Sequence, residues 1–275
     1  MKKLIDQIET KGIVAFTGVY DVFSATLVAK HNEGIFVSGY GFAASYYGLP
    51  DIGFIAWSDI VSFVQRIRAV LPNVSILVDI DDGYVDTEVA CHVVNQLEQL
   101  NVSGIMLEDQ KRPRRCGHFD GKLILELDEY LPKLESVLKT RKDLFVIART
   151  DATDPHDIER RVNAFAEVGA DAILVDGLQD LKMLPKLSQQ VKKPFVFNQI
   201  LGGKSENCSL TELKALGVSV VIYSTPCLFA AHAAIDRVLN TLTENDGNLM
   251  SIQEYSVIIK DSNALLMENL YRERV

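Results

Sequence analysis

Acidic side chains gather at two points of this sequence, each directly after a short apolar stretch. Asp79 and Asp81 follow Ile76–Val78, and Glu108 follows Ile105–Leu107. Carboxylate oxygens are the ligands that hard divalent cations such as Mg²⁺ prefer, and a cation held in this way can activate a substrate oxygen. Acidic pairs are also common on solvated loops, so the spacing alone leaves both interpretations open. Their position after consecutive apolar stretches favours a metal site.

A cationic side chain ends another apolar stretch. Arg149 follows Phe145–Ala148, and arginine is seldom buried without a partner. A bound carboxylate or phosphate group would satisfy its guanidinium, as would a structural ion pair with Asp151 or Glu108. Arg149 is therefore either a substrate-binding residue or part of an ion-pair network.

One of the four cysteines lies among cationic residues. Cys116 occurs in KRPRRCGHFDGK, residues 111–122, where the cations are predicted to lower its thiol pKa and make it reactive. The alternative interpretation is a basic surface turn. Cys91, Cys208 and Cys227 are expected to be ordinary buried or surface residues, and no CxxC spacing indicates a zinc site or a disulfide framework. A reducing, cytoplasmic compartment is the expectation.

Eight short apolar stretches, each leading into a residue able to do chemistry, are the elements that would position these side chains. Continuous β-branched and aromatic runs are typical of strands buried on both faces of a parallel sheet. Their alternation with helical segments predicts a (β/α)8 barrel of the α/β class, whose active site lies at the carboxyl ends of the strands. The stretches and the residues after them are 13–16 with Thr17, 35–37 with Ser38, 76–78 with Asp79, 105–107 with Glu108, 145–148 with Arg149, 173–175 with Asp176, 195–197 with Asn198, and 218–223 with Ser224.

Helix starts and chain length agree with this architecture. Ser58-Asp59 and Asp154 followed by Pro155 are typical amino-terminal capping sequences. With 275 residues, 48% of them hydrophobic, the chain can supply the about 250 residues that such a barrel needs. We predict a catalytic barrel over residues 1–240 and a C-terminal helical extension over residues 241–275.

Charge and hydropathy exclude several classes of partner. The formal net charge of -9 argues against nucleic-acid binding, which depends on clustered cations. Asp6, Gln7 and Glu9 interrupt the amino-terminal segment, so we do not expect a signal peptide. No stretch approaches the roughly 18 apolar residues of a membrane span. The expectation is an acidic soluble enzyme without a nucleic-acid or membrane partner.

The chain resembles the isocitrate lyase and phosphoenolpyruvate mutase superfamily from about Leu4 to Ile235. Six groups of residues, in the superfamily's order along the chain, carry this resemblance. The resemblance implies a Mg²⁺-dependent barrel, with Mn²⁺ as a possible substitute, that acts on small 2-oxo or 2-hydroxy carboxylic acids. It also implies a homotetramer in which C-terminal helices are exchanged between subunits. The matching segments are Ser38-Gly39-Tyr40-Gly41 with Gly48-Leu49-Pro50-Asp51, Asp79-Ile80-Asp81, Glu108-Asp109-Gln110, Arg115-Cys116-Gly117-His118, Ala148-Arg149-Thr150-Asp151-Ala152, and Asn198 with Gly202-Gly203-Lys204.

The resemblance assigns expected roles to individual residues. Arg149 would stabilise an oxyanion, and Cys116 would act from a mobile lid, residues 110–122, which excludes water when it closes. The expected metal ligands are Asp79, Asp81 and Glu108. The expected catalytic residues are Cys116, Arg149, Arg115 and His118, and the expected substrate-binding residues are Ser38, Gly39, Tyr40, Asp51, Gly117, Arg149, Asp176 and Asn198. An alternative is that Arg115 and His118 pair with Glu108 or Asp109 and orient the lid.

Three single positions and one short segment depart from the superfamily's usual residues. The segment is Ser205-Glu206-Asn207, which replaces a Thr-Pro after Gly-Gly-Lys and places an extra negative charge near the mouth of the site. Arg114 replaces a lysine two places before the cysteine and keeps the charge without a titratable amine. Asp176 stands where many lyases carry glutamate, and Phe229 lies near the position of an arginine that grips a distal carboxylate in the methylisocitrate lyases. The loss of that arginine favours a smaller or more apolar substrate, such as an alkyl-substituted malate.

The Cys-Gly-His segment resembles the branch that cleaves carbon–carbon bonds, such as the methylisocitrate and dimethylmalate lyases. Cleavage of a substituted malate or methylisocitrate would release a 2-oxo acid and leave an enolate-type carboxylate, which Cys116 could protonate. Tyr40, a metal-bound hydroxide and a group on the lid remain open as the general base. A carboxyphosphonoenolpyruvate-type mutase, a 2-oxo acid decarboxylase and a non-catalytic ligand-binding barrel are the alternative functions.

Overall fold

Eight parallel strands form a closed barrel in this computed structural model, which describes residues 3–32, 34–241, 250, 252, 254 and 255. Each strand pairs with the next along the chain, and the last pairs with the first. This topology confirms the predicted (β/α)8 barrel. The strands are β1 (Val14–Val19), β2 (Gly34–Val37), β3 (Ser75–Asp79), β4 (Gly104–Glu108), β5 (Phe145–Thr150), β6 (Ala172–Val175), β7 (Phe195–Gln199) and β8 (Val218–Tyr223).

Helices connect the strands and cover the outside of the barrel. A π-helical turn, Ala43–Tyr47, directly follows a short helix after β2. No described helix is long and apolar enough to cross a lipid bilayer. The helices are α1 (Leu4–Lys11), α2 (Val22–His31), α3 (Gly39–Phe42), α4 (Trp57–Val70), α5 (Thr87–Gln99), α6 (Leu127–Thr140), α7 (Pro155–Val168), α8 (Met183–Val191), α9 (Leu210–Ala215) and α10 (Pro226–Thr241).

Two hydrophobic layers explain why the strands are apolar along their whole length. Along each strand, alternate residues such as Leu77 and Met106 point into the barrel and join the interior cluster. The residues beside them, such as Ile76 and Ile105, point outward and pack with the helices. Successive strand residues face opposite sides, so one continuous apolar run fills both layers.

Two local sequence predictions were wrong. Thr17 does not end β1, because the pairing with β2 continues through Gly18 and Val19. Helix α4 begins at Trp57 rather than after Ser58-Asp59, and Asp59 lies in its first turn, where its carboxylate accepts the N–H of Ala56. Asp59 is therefore the third residue of the helix, and its side chain caps the backbone N–H of Ala56, the residue just before the helix.

The start of α7 follows the sequence prediction. Asp154 accepts the N–H groups of His156 and Asp157, and Pro155 occupies the first helical position. The predicted C-terminal extension, residues 241–275, lies outside the described residues except for five isolated positions. Its helices, and their exchange between subunits, therefore stay predictions.

Candidate functional site

The polar side chains at the top of the barrel continue the pattern of its interior. Each lies two positions after a residue of the interior cluster, so it points toward the barrel axis just beyond the last apolar layer. The arrangement places chemistry at the carboxyl ends of the strands, as in other barrels of this class. The pairs are Phe36 with Ser38, Leu77 with Asp79, Met106 with Glu108, Ile147 with Arg149, Leu174 with Asp176, Val196 with Asn198, and Ile222 with Ser224.

A cavity of about 160 Å³ opens at this end of the barrel. Its size suits a small carboxylic acid rather than a large cofactor. Of the predicted site residues, Gly39, Asp81, Glu108 and Arg115 lie outside its lining. The others line it: Ser38, Tyr40, Asp51, Asp79, Cys116, Gly117, His118, Arg149, Asp176 and Asn198.

Arg149 is buried at the centre of an ion-pair network. Its Nε atom lies 3.0 Å from Asp151 Oδ2, and its Nη2 atom lies 2.8 Å from Asp176 Oδ2 and 3.2 Å from Glu108 Oε2. Burial alone would lower the pKa of Arg149, but these carboxylates hold it well above its usual value. Both structural partners predicted for Arg149 are therefore present, and its guanidinium still faces the cavity.

Asp176 connects this arginine to His118 and Asn198. Burial would raise its pKa, but Arg149 and His118 hold it below its ordinary value, so Asp176 is ionised. Its Oδ1 atom accepts the side-chain N–H of Asn198, whose own carbonyl accepts the Ser224 hydroxyl. The orientation of the Asn198 amide is fixed at both ends. Sequence reasoning placed Ser224 at a strand end but did not identify this contact.

Arg114, the first departure from the superfamily pattern, lies fully buried among carboxylates. Its Nε atom donates to Glu108 Oε1 at 2.7 Å, its Nη2 atom lies 3.2 Å from Asp81 Oδ1, and its Nη1 atom donates to Asp51. Only 1% of its side chain is exposed. Burial acts to lower its pKa, but the carboxylates raise it well above the usual value. The guanidinium is therefore a fixed positive charge behind the cavity.

Asp79, Asp81 and Glu108 carry an excess of buried negative charge. Burial raises the pKa of Asp79, raises that of Asp81 well above its ordinary value, and raises that of Glu108 to about 7 despite Arg114 and Arg149. Asp81 Oδ1 is buried and accepts no hydrogen bond among the described residues. An oxygen without a donor in a carboxylate-rich pocket fits a hard divalent cation.

The approach of two carboxylates to Gly39 gives further support for this fit. A Cβ atom at Gly39 would lie 3.1 Å from Asp81 Oδ1 and 4.0 Å from Asp79 Oδ2, so both oxygens converge on the space above this glycine. Across residues 3–32 and 34–241, no three acidic, histidine or cysteine side chains surround one point closely enough to hold a metal ion. Of the three predicted ligands, Glu108 has both carboxylate oxygens paired with arginines, Oε1 with Arg114 and Oε2 with Arg149.

The prediction that neighbouring cations lower the thiol pKa of Cys116 was wrong. Burial, together with Asp176 and Asp51, raises this pKa to about 11. The cations adjacent in sequence point elsewhere, because Arg114 binds carboxylates behind the cavity and Arg115 is exposed to solvent. Cys116 is therefore a neutral thiol at neutral pH, able to give a proton.

His118 connects the lid to the turn after β7. Its Nδ1 atom accepts the backbone N–H of Lys204 at 2.9 Å, and its Nε2 atom faces Asp176 Oδ1 at 3.5 Å. The alternative in which Arg115 and His118 pair with Glu108 or Asp109 is not what the structure shows. Glu108 pairs with Arg114 and Arg149, Asp109 pairs with Arg161, and His118 meets Asp176.

Residues 110–122, the predicted lid, lie over the cavity and are held there by contacts that sequence reasoning missed. Gln110 binds both the N–H and the carbonyl of Arg115. Lys122 binds Asp151 Oδ1 at 2.8 Å and also donates to the Gly117 carbonyl. A Cβ atom at Gly117 would lie 1.9 Å from Asp176 Oδ2, so only glycine lets the lid approach this closely. The sequence feature that indicated a lid was the high content of polar residues around Gly117 and Gly121.

Phe229, the last of the three departures, lines the cavity from the start of α10. Its ring meets the ring of Tyr40 edge to face, with centroids 6.3 Å apart and an angle of 79°. Ile200, Leu201 and Phe119 also line the cavity. These side chains form an apolar wall on one side of the cavity.

Comparison with protein families gives one match that spans most of the chain. The model of the family described as phosphoenolpyruvate phosphomutase matches residues 5–243. The chain is 31% identical over 270 residues to the petal death protein of Dianthus caryophyllus, covering 96% of this chain and 85% of that protein. It is 32% identical to the chloroplastic carboxyvinyl-carboxyphosphonate phosphorylmutase of Arabidopsis thaliana (94% and 79% covered) and 28% identical to the 2,3-dimethylmalate lyase of Eubacterium barkeri (98% and 95% covered).

Solved structures share the fold over nearly the whole chain. A 2,3-dimethylmalate lyase matches with a TM-score of 0.89 at 24% identity, covering 98% of this chain and 96% of that one. An oxaloacetate acetylhydrolase in complex with 3,3-difluorooxalacetate matches with a TM-score of 0.88 at 27% identity (97% and 95% covered). A phosphonopyruvate hydrolase in complex with oxalate and Mg²⁺ matches with a TM-score of 0.79 at 25% identity (94% of both chains covered).

Proposed function

The chain belongs to the phosphoenolpyruvate phosphomutase family, and from that premise we propose that it is a Mg²⁺-dependent carbon–carbon lyase for a small 2-hydroxy dicarboxylic acid. The substrate is an alkyl-substituted malate, and one product is a 2-oxo acid. The observation that carries the proposal is the neutral Cys116 thiol, which faces the cavity beside Arg149 and Asp176. Carbon–carbon cleavage produces a carbanion equivalent that needs a proton, and a neutral thiol can supply it.

Asp79 and Asp81 are the residues that would hold the metal, with Glu108 joining directly or through water. Mg²⁺ would act as a Lewis acid toward the 2-oxygen and its neighbouring carboxylate. The buried carboxyls and the convergence of Asp79 and Asp81 above Gly39 support this assignment. A relative of the same fold is described in complex with oxalate and Mg²⁺, and oxalate has the same pair of adjacent carboxyl oxygens.

The remaining residues would bind and orient the substrate. Ser38 caps helix α3 and accepts the N–H of Gly41, and Gly39 and Tyr40 are the first two residues of the helix. The Ser38 hydroxyl and the backbone N–H groups of Gly39 and Tyr40 would bind the substrate carboxylate. Arg149 would stabilise negative charge on the 2-oxygen. Asn198 would donate to the part of the substrate beyond the scissile bond.

Bond cleavage then follows from the positions of these groups. A general base takes the proton of the 2-hydroxyl, the C2–C3 bond breaks, and its electron pair goes to C3 as C2 becomes a carbonyl carbon. Cys116 gives its thiol proton to C3. Both products leave as carboxylates, and the closed lid keeps water from competing for the carbanion.

The apolar wall supports the substrate class. Phe229, Leu201 and Ile200 would contact the substituent on C3, and an alkyl group gains free energy from burial there. A tricarboxylic acid would place a charged group against this surface without a cation. Lys204, which follows the cavity-lining residues 200–203, is paired with Asp120.

The test is a survey of substrates by proton and phosphorus NMR with Mg²⁺ and an EDTA control. Alkylmalates, methylisocitrate, oxaloacetate and phosphonopyruvate make up the panel. Metal-dependent release of a 2-oxo acid from an alkylmalate would support the lyase. A change in the phosphorus chemical shift on incubation with the enzyme would favour a phosphonomutase. The similarity to the Arabidopsis phosphorylmutase is the reason to test this alternative. Loss of carboxylate from oxaloacetate would favour a decarboxylase.

A further inference from the structure

Arg114 makes an unusual set of contacts for a residue of a mobile lid. Its guanidinium binds Asp51, Asp81 and Glu108, and two of these are the proposed metal ligands. The aliphatic part of the side chain passes Gly53, where a Cβ atom would lie 3.3 Å from Arg114 Cγ. The whole side chain is thus held in one position, and its charge cannot be lost by deprotonation.

The guanidinium uses the oxygens that a divalent cation would need. Asp81 Oδ1, which has no hydrogen-bond donor, has Arg114 Nη2 as a charged neighbour at 3.2 Å. Glu108 Oε1 accepts Arg114 Nε at 2.7 Å, and Glu108 Oε2 lies 3.2 Å from Arg149 Nη2. A cation beside Asp81 would therefore meet a fixed positive charge in a buried site, where charges are weakly screened.

We propose that Arg114 makes lid closure and metal binding antagonistic, and that the bound substrate removes the antagonism. With the lid closed, the guanidinium holds Asp81 and Glu108 and opposes the cation. A bound cation releases Arg114 and loosens the lid, because coupling between two events acts equally in both directions. The negative charge of a dianionic substrate bound to the cation offsets the added positive charge, so the cation and Arg114 can both stay and the lid closes after metal and substrate have entered.

This inference rests on the proposed function, since it takes Asp79, Asp81 and Glu108 as metal ligands. The lid keeps other attachments when Arg114 is released. Arg112 pairs with Asp82 at 2.7 Å, and Lys122 pairs with Asp151. The expected response to the cation is therefore a looser lid, with the barrel unchanged.

The first test measures Mn²⁺ affinity by titration calorimetry and electron paramagnetic resonance on the wild-type protein, Arg114→Met and Arg112→Met. Arg112 is the matched control, because it is a lid arginine whose partner, Asp82, is not a proposed ligand. We expect Arg114→Met to bind Mn²⁺ at least about tenfold more tightly than wild type and Arg112→Met to change less than about threefold. Arg114→Lys keeps the positive charge but loses the planar guanidinium, so its Mn²⁺ affinity should lie between those of wild type and Arg114→Met. This variant also provides a test if the methionine variant does not fold.

The second test follows the lid by hydrogen exchange of residues 110–122. Mn²⁺ alone should increase exchange in the wild type, and Mn²⁺ with oxalate should reduce it below the metal-free level. In Arg114→Met, Mn²⁺ alone should leave exchange unchanged. Equal or weaker Mn²⁺ binding by Arg114→Met, or a lid that Mn²⁺ protects in the wild type, overturns the inference and leaves the proposed lyase in place. Absence of Mn²⁺ binding in every variant overturns both.

Discussion

At the scale of single residues, Cys116 is the group whose chemistry the structure changes most. The sequence places it among cations, yet Arg114 pairs with carboxylates instead, and the thiol is largely buried with Asp176 and Asp51 as nearby negative charges. Adjacency in sequence therefore says little about electrostatics when a loop folds back over a buried site. The position of the thiol at the cavity, by contrast, agrees with what the resemblance to the superfamily implied for Cys116.

Replacement of Cys116 by serine tests the proton-donor role. A hydroxyl is a far weaker acid than a thiol, and general acid catalysis commonly contributes roughly 100-fold to 10,000-fold to a rate. We expect turnover of the best alkylmalate to fall at least about 100-fold in Cys116→Ser while the thermal unfolding midpoint changes little. Cys91→Ser, on α5 away from the cavity, is the control. Unaltered turnover in Cys116→Ser would remove this residue from the mechanism.

The raised thiol pKa of Cys116 predicts its alkylation profile. Only the thiolate is nucleophilic, and the thiolate forms as pH rises through the pKa, which is about 11 in the closed protein. We expect the rate of iodoacetamide labelling at Cys116, followed by peptide mass spectrometry, to keep rising up to about pH 11. The synthetic peptide of residues 111–122 should level off near the ordinary thiol pKa of about 8.5 or below it. Identical profiles for protein and peptide would contradict the burial argument.

At the scale of elements, the period of two along each strand accounts for how much could be predicted. Asp79, Glu108, Arg149, Asp176 and Asn198 each follow an interior residue by two positions, so their convergence could be inferred from strand patterns. Their partners could not, because Arg114 and Lys122 come from a lid without periodicity. Boundaries failed where pairing or capping extended an element, as in β1 and α4.

Gly117 tests how closely the lid must approach β6. A methyl group there would lie 1.9 Å from Asp176 Oδ2 and 2.7 Å from Arg149 Nη2, so Gly117→Ala should prevent closure without disturbing the barrel. We expect kcat/KM to fall at least about 100-fold, since misplacement of about 1 Å can cost that much, and trypsin to cut faster within residues 111–122.

Gly121→Ala is the control for this variant, because it changes the same lid where the nearest atom, Arg115 Nη1, is 3.5 Å away at the end of a flexible side chain. Its positive φ of 77° adds backbone strain of roughly 1 kcal/mol without a collision. A Gly117→Ala enzyme with normal activity and a protected lid would mean that Asp176 moves aside, and that the close approach is not required.

At the scale of the whole molecule, buried contacts beneath the acidic site stabilise the barrel around it. Asp109, buried at the end of β4, has a pKa that burial and Asp151 raise to about 6. Its Oδ1 atom accepts the backbone N–H of Asp151, and its Oδ2 atom lies 2.9 Å from Arg161 Nη1 on α7. Arg161 also donates to the Leu125 carbonyl just before α6. One buried guanidinium thus joins a strand and two helices beneath the site.

Removal of Arg161 should therefore destabilise the entire barrel. Arg161→Met leaves Asp109 buried without its cation and the Leu125 carbonyl without its donor, and breaking a buried pair typically costs about 3–5 kcal/mol. For a chain of this size each kcal/mol shifts the thermal midpoint by roughly 2–4 °C, so we expect Tm to fall by about 10 °C by calorimetry.

Arg160→Met is the matched control for this stability prediction. Arg160 is the neighbouring residue on α7 and pairs with the same Asp157 at 2.7 Å, but its side chain is 57% exposed, so solvent screens the pair. We expect its Tm to stay within about 2 °C of the wild type, as for most surface substitutions. Equal losses in the two variants would mean that the shared Asp157 contact dominates. A large loss confined to Arg161→Met would assign the stability to the buried contacts of Arg161 with Asp109 and Leu125, next to the proposed metal site.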